Sequence, residues 1–72
     1  MTDQTPLVLR EDNQGVAYLT LNRADKLNAL TVSMFEELRK HVSNIGKDDS
    51  VNCVVLSGAG KCFSAGHDLA DI

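Results

Sequence analysis

A chain of 72 residues has room for one small domain, and a chain of that size buries only roughly 60% of the surface its unfolded form exposes. The formal net charge is −3 and the seven Lys and Arg residues are scattered, which excludes the basic face of a nucleic-acid binder and requires any anionic ligand to be held locally. No apolar run approaches the ~18 residues of a membrane span, Met1–Pro6 carries no signal-peptide pattern, and Cys53 and Cys62 form no C-x-x-C pair and fit buried thiols in a reducing, intracellular setting. The expected location is therefore cytoplasmic, with a mitochondrial or peroxisomal one compatible in a eukaryote.

Leu7–Arg10 and Val16–Leu21 are runs of strand formers separated by Glu11-Asp12-Asn13-Gln14-Gly15, a cluster of turn residues, and the pattern predicts a β-hairpin. From Thr31 the period changes. Met34, Phe35, Leu38, Val42 and Ile45 fall on one helical face, with Glu36, Glu37, Arg39 and Lys40 opposite, which predicts an amphipathic helix over about Thr31 to Ile45. Thr31 or Ser33 can cap its start, Glu36 and Glu37 suit its positive end, and Gly46 with Lys47 suits a stop.

Val51–Ser57 follows as a strand whose Cys53-Val54-Val55-Leu56 centre is apolar without alternation, the pattern of a strand covered on both faces. One hairpin and one helix can hardly cover both. Such a strand leaves an apolar patch unless further layers pack on it, so the expectation is a partial domain over residues 1–72, incomplete at its C-terminus. Leu69-Ala70-Asp71-Ile72 has the character of a first helical turn.

The chemistry lies in the Gly-rich stretch after the strand. A phosphate loop needs Gly at position 55 and Ser or Thr at 62, where Val55 and Cys62 stand, and a dinucleotide fingerprint from Gly58 meets Phe63 where Gly or Ala is needed. Both readings fail. Phe63-Ser64-Ala65-Gly66-His67-Asp68-Leu69 instead places small residues directly before an expected helix start near His67, where a ligand can approach the backbone closely. Amides at a helix start lack intrahelical partners and can hold a carbonyl oxygen gaining negative charge; here that is the N–H of His67. Ser64, His67 and Asp68 crowd a single turn and seldom line up as a triad, His67 with Asp68 lacks the further ligands of a metal site, and His41, beside Lys40, reads as a surface residue. Cys53 reads as a core residue and Cys62 as a loop thiol.

Leu56-Ser57-Gly58-Ala59-Gly60-Lys61-Cys62-Phe63-Ser64-Ala65-Gly66-His67-Asp68-Leu69 is similar to the strand, G-x-G-x-x-F-[SC]-[AS]-G-x-D-[LI] loop and helix start of the enoyl-CoA hydratase/isomerase (crotonase-like) family. Upstream, Leu19-Thr20-Leu21-Asn22-Arg23 and Lys26-Leu27-Asn28-Ala29-Leu30 resemble its strand ending in N-R-P and its N-A-L segment. The likeness runs over about residues 7 to 72 and implies an α/β fold, the N-terminal portion of a crotonase-like ββα spiral.

The resemblance implies that the His67 amide is one of two oxyanion-hole donors for a thioester carbonyl, that Ala65, Asp68 and Leu69 line the acyl-CoA channel, and that the Arg23–Ala29 stretch borders the CoA nucleotide with Lys26 as a charge partner for its phosphates. Ala24 stands where the family usually has Pro. The partner implied is an acyl-CoA thioester, with no nucleic acid or membrane partner, no metal and no separate cofactor, since coenzyme A is part of the substrate. A full-length parent would be a homotrimer or hexamer. The second oxyanion donor and the acid/base carboxylates belong to parts of the family beyond the stretch matched, so this chain alone is expected either to be the acyl-CoA-binding portion of a hydratase or isomerase, or an inactive short product that binds CoA thioesters weakly or associates with full-length relatives.

Overall fold

A computed structural model describes residues 5–71. Strands β1 (Val8–Asn13) and β2 (Val16–Leu21) form the hairpin, antiparallel from Val8 opposite Leu21 to Asn13 opposite Val16. The turn is shorter than the Glu11–Gly15 cluster suggests. Glu11, Asp12 and Asn13 extend β1, and the chain reverses at Gln14 and Gly15, with φ of 51° and 82°. Two consecutive positive φ values are those of a type I′ turn, whose twist matches that of paired strands.

Helix α1 (Val32–Gly46) then carries the chain over the sheet to β3 (Cys53–Gly58), which adds parallel to β2 and gives the order β1-β2-β3. Of the two candidate caps, Thr31 serves: its side chain accepts the Met34 N–H, satisfying one of the orphan amides of the first turn. Glu36 and Glu37 lie beyond that turn, and Gly46 is the last helical residue rather than a stop after the helix.

Alternation along β2 buries Ala17, Leu19 and Leu21, and the two leucines meet Val8 of β1 and Met34 of α1 in the core, with Leu7, Leu30, Leu38 and Ile45 packed around it. Full burial of such side chains contributes about 1.5–3 kcal/mol each. The apolar stripe of α1 is narrower in contact than in sequence, because Phe35 and Val42 are exposed. Glu37, expected on the solvated face, is half-buried, and its Oε1 accepts the Leu7 and Val8 amides at 2.9 and 3.0 Å. His41 is also half-buried, with Nε2 3.3 Å from the Val8 carbonyl. The helix's polar side thus meets the start of β1.

β3 carries the apolar patch expected of a strand that one hairpin and one helix can hardly cover, among the described residues. Cys53 is exposed rather than core, and Val54, Val55 and Leu56 are 45%, 40% and 43% exposed. The expected helix near His67 is instead a single 3-10 turn, Leu69–Asp71; Ile72 lies outside the described residues. Asp71 Oδ2 accepts the Val32 N–H at 2.8 Å, so this turn seats against the beginning of α1.

Candidate functional site

The two motif segments, far apart in sequence, lie side by side. After β2 the chain makes a 3-10 turn at Ala24–Lys26 and then holds Leu27 and Asn28 at φ 53°, a region L-residues enter at a cost and Asn tolerates better than most. That conformation turns the Asn28 side chain inward. It is 0% exposed, and its amide group is fully used: Oδ1 accepts the Arg23 N–H at 2.8 Å, and Nδ2 donates to the carbonyls of Ala59 and Cys62 at 2.9 and 2.8 Å. One side chain fastens both loops together. Gly58 is required at the same junction, since a Cβ there would lie 2.8 Å from the Cys62 oxygen and closer still to that of Phe63.

Backbone pairing continues the seam. The Ala65 N–H donates to the Leu27 carbonyl at 2.9 Å, the Leu30 N–H to the Gly66 carbonyl at 2.7 Å, and the Asp68 N–H to the Leu30 carbonyl at 2.8 Å. Leu30 and His67 therefore form an isolated parallel β-bridge. Gly66, at φ 98°, makes the bend into it, and Ser64 braces the bend: its Oγ donates to the Asn28 carbonyl at 2.8 Å and accepts the Gly66 N–H at 3.0 Å.

The consequence falls on one amide. A trans peptide is planar with its C=O and N–H opposed, so pinning the Gly66 carbonyl toward Leu30 directs the His67 N–H the other way. It has no acceptor among the described residues. The cause differs from the sequence-based expectation, since His67 is not at a helix start; its amide is aimed by a β-bridge.

The remaining predicted residues border this seam. Ala24 sits against the glycine loop, where a Cβ on Gly60 would come 3.1 Å from its own, and Lys26 is exposed on the 3-10 turn. Ala65 is exposed beside the bend and Leu69 is 80% exposed. Asp68 differs from a free channel-lining carboxylate: its Oδ2 accepts Arg23 Nη1 at 2.8 Å and its Oδ1 accepts the Ala70 N–H at 3.0 Å. These bonds, first that of Arg23, hold the Asp68 carboxyl below the usual carboxylate range, aided by the charges of Arg23 and Lys26. Ser64 and Asp68 are thus committed to other groups than the His67 ring, and among the described residues no three His, Cys, Asp or Glu side chains gather as a metal requires.

Arg23, Asn28 and Ser64 carry the geometry but were not given these roles from the sequence. Arg23 and Asn28 stand there only as letters of the N-R and N-A-L segments, and Ser64 only as a triad member set aside.

This pairing of loops, on a hairpin, a crossover helix and a parallel strand, defines an α/β unit with its two motif segments brought to one edge. The chain belongs to the enoyl-CoA hydratase/isomerase family, whose sequence profile matches residues 16–72. It is 39% identical over 64 residues to the 1,2-epoxyphenylacetyl-CoA isomerase of Escherichia coli, covering 89% of this chain and 24% of that protein. It is 40% identical over 70 residues to a probable enoyl-CoA hydratase of Mycobacterium tuberculosis, covering 97% of this chain and 27% of that protein. The crystal structure of an enoyl-CoA hydratase from M. tuberculosis H37Rv superposes with a TM-score of 0.88 at 31% identity, over 93% of this chain and 29% of that one. The chain thus spans about a quarter of the length of the curated relatives it matches. Among the described residues, no helix is long and apolar enough to cross a membrane.

Proposed function

We propose that this chain supplies the carbonyl-holding part of an acyl-CoA thioester site, with the His67 N–H as one oxyanion donor. The observation that carries the reading is the Gly66–His67 peptide, held by Leu30 on one side, its N–H without an acceptor among the described residues on the other. A donor fixed before the reaction stabilises charge as it develops on the thioester oxygen, and each such donor is worth about 10²–10³ in rate. Ala65 and Leu69 form channel wall for the acyl group. Asp68 contributes through its place in the chain, its carboxylate being engaged by Arg23. Lys26, exposed beside Ala24 at the seam's edge, attracts the nucleotide phosphates, and coenzyme A enters as part of the substrate rather than as a resident cofactor.

Turnover needs more than this. Moving a proton to or from the acyl chain requires a positioned acid or base, typically contributing about 10²–10⁴-fold, and among the described residues the neighbouring Ser64 and Asp68 side chains are both engaged by other partners. The chain by itself binds a short acyl-CoA but does not hydrate a short enoyl-CoA above background. A second reading, association with full-length relatives or within a trimer or hexamer, is favoured by the exposed Val54, Val55 and Leu56 on an uncharged edge strand.

Calorimetric titration with butyryl-CoA tests the first reading. Saturable binding is expected for the chain and for His67→Ala, whose amide is intact, and loss of binding for Gly66→Pro, which cannot take the φ of 98°. Binding indifferent to Gly66→Pro, or robust crotonyl-CoA hydration by the chain, overturns it. Sedimentation tests association: a monomer at all concentrations, alone and mixed with a full-length relative, rejects it.

A further inference from the structure

We infer that Arg23 is a positioning residue for the His67 donor, acting through Asp68 and Ala29; this rests on the reading of the His67 amide given above. The bridge between Leu30 and His67 is isolated, and an isolated pair at the end of a sheet has no ladder beyond it to hold its angle. Arg23 supplies the missing restraint. A single nitrogen, Nη1, donates to the Ala29 carbonyl and to Asp68 Oδ2, both at 2.8 Å. Ala29 precedes Leu30 and Asp68 follows His67, so one guanidinium grips a residue adjoining each member of the bridged pair.

The grip is anchored at both ends of the arginine. Its backbone N–H is held by Asn28 Oδ1 at 2.8 Å, and the ion pair is substantially shielded, with the two side chains 21% and 20% exposed. The loop from Arg23 through Asn28 to Leu30, the bridge to His67 and Asp68, and the return from Asp68 to Arg23 close a ring of hydrogen bonds around the donor. Opening the ring at Arg23–Asp68 leaves the Gly66–His67 peptide held by the Leu30 N–H, with Ser64 bracing only the peptide before it, and free to tilt. Arg23 touches no reacting atom in this scheme; it fixes the direction in which an N–H points.

The test compares acetyl-CoA with S-ethyl-CoA, a thioether of nearly the same size without the carbonyl, by calorimetry and by the 1H–15N shift of the His67 amide. The wild-type chain binds acetyl-CoA more tightly, with a downfield shift of that amide that S-ethyl-CoA does not produce. In Arg23→Met and in the near-isosteric Asp68→Asn the preference, read as the ratio of the two affinities so that an effect on the shared CoA part cancels, falls by roughly three- to tenfold, the scale of one hydrogen bond; Arg23→Lys restores part of it. A wild-type chain without preference rejects the His67 reading itself. A wild-type preference undiminished in both variants rejects the role of Arg23, and so does an equal loss of both ligands or of the fold in both variants, which makes the ion pair structural only.

Discussion

The Asn28 side chain donates from Nδ2 to the Cys62 carbonyl at 2.8 Å, joining two loops whose other contacts are mostly single backbone hydrogen bonds. Asn28→Ala removes three hydrogen bonds at once and strands the Arg23 N–H and the Ala59 and Cys62 carbonyls. An unsatisfied buried group costs about 1–3 kcal/mol, and Ala gains nothing at φ 53°. In a domain this small the expected result is loss of a cooperative thermal transition. Asn28→Asp should do nearly as badly, since a carboxylate facing two carbonyls has no protons to offer. A melting temperature unchanged in both variants would refute the bolt.

Glu37 closes the entry to the sheet by accepting the Leu7 and Val8 amides. Glu37→Ala is expected to cost about 1.5–3 kcal/mol, the range for hydrogen bonds to a charged acceptor, and Glu37→Gln distinctly less because the amide oxygen still accepts. Urea unfolding ranks the three chains. An order with Gln as the worst would mean that Glu37 acts through charge on the helix rather than through β1.

Three carboxylates tie stability to acid. Asp68 is lowered by Arg23 and the Ala70 amide, Asp12 by Arg10, and Asp48 chiefly by the Ser50 hydroxyl and amide. A group whose folded pKa is depressed binds fewer protons than in the unfolded chain, so its contribution is complete above the ordinary Asp value of about 3.9 and disappears as pH falls through the lower folded value. Urea midpoints should hold between about pH 6 and 5 and drop below about pH 4. Asp68→Asn should flatten part of that drop, and an identical slope would remove Asp68 from the linkage.

Two glycines predict opposite signs. Gly58→Ala drives a methyl into the Cys62 and Phe63 backbone, an overpacking that costs typically about 1–3 kcal/mol or more. Gly46, the last residue of α1, has nothing within 4 Å of a built Cβ, so Gly46→Ala should stabilise by up to about 1 kcal/mol. Thermal melts of the pair decide, and a stable Gly58→Ala chain would mean the loop can move aside.

Hairpin, cap and helix were legible because they are local. Turn residues, a period of two and a period of 3.6 lie within a dozen residues, and Thr31 is a recognisable N-cap. What escaped depends on partners distant in the chain. Glu37 reads as solvated until β1 arrives over its oxygen, and Phe35 and Val42 read as core until the sheet proves too narrow to reach them. Nothing in the spelling of Arg23 and Asp68 announces a pair across 45 residues of chain. The His67 amide was reached from an expected helix start and from the resemblance, while what directs it is the pinned carbonyl of Gly66, which no periodicity encodes.

The parallel seating of β3 on β2 dictates an order of assembly. The hairpin closes through the two-residue turn at Gln14 and Gly15, an event of about 1–10 μs, whereas Val16 meets Cys53 only after the intervening helix has formed and folded back, paying the entropy of a long loop first. The glycine loop and its amide are drawn into place last. Changes at Gly15 should therefore slow folding, while changes in β3 or at Asn28 should chiefly hasten unfolding, so the donor is the first part of the molecule to be released whenever the chain begins to open.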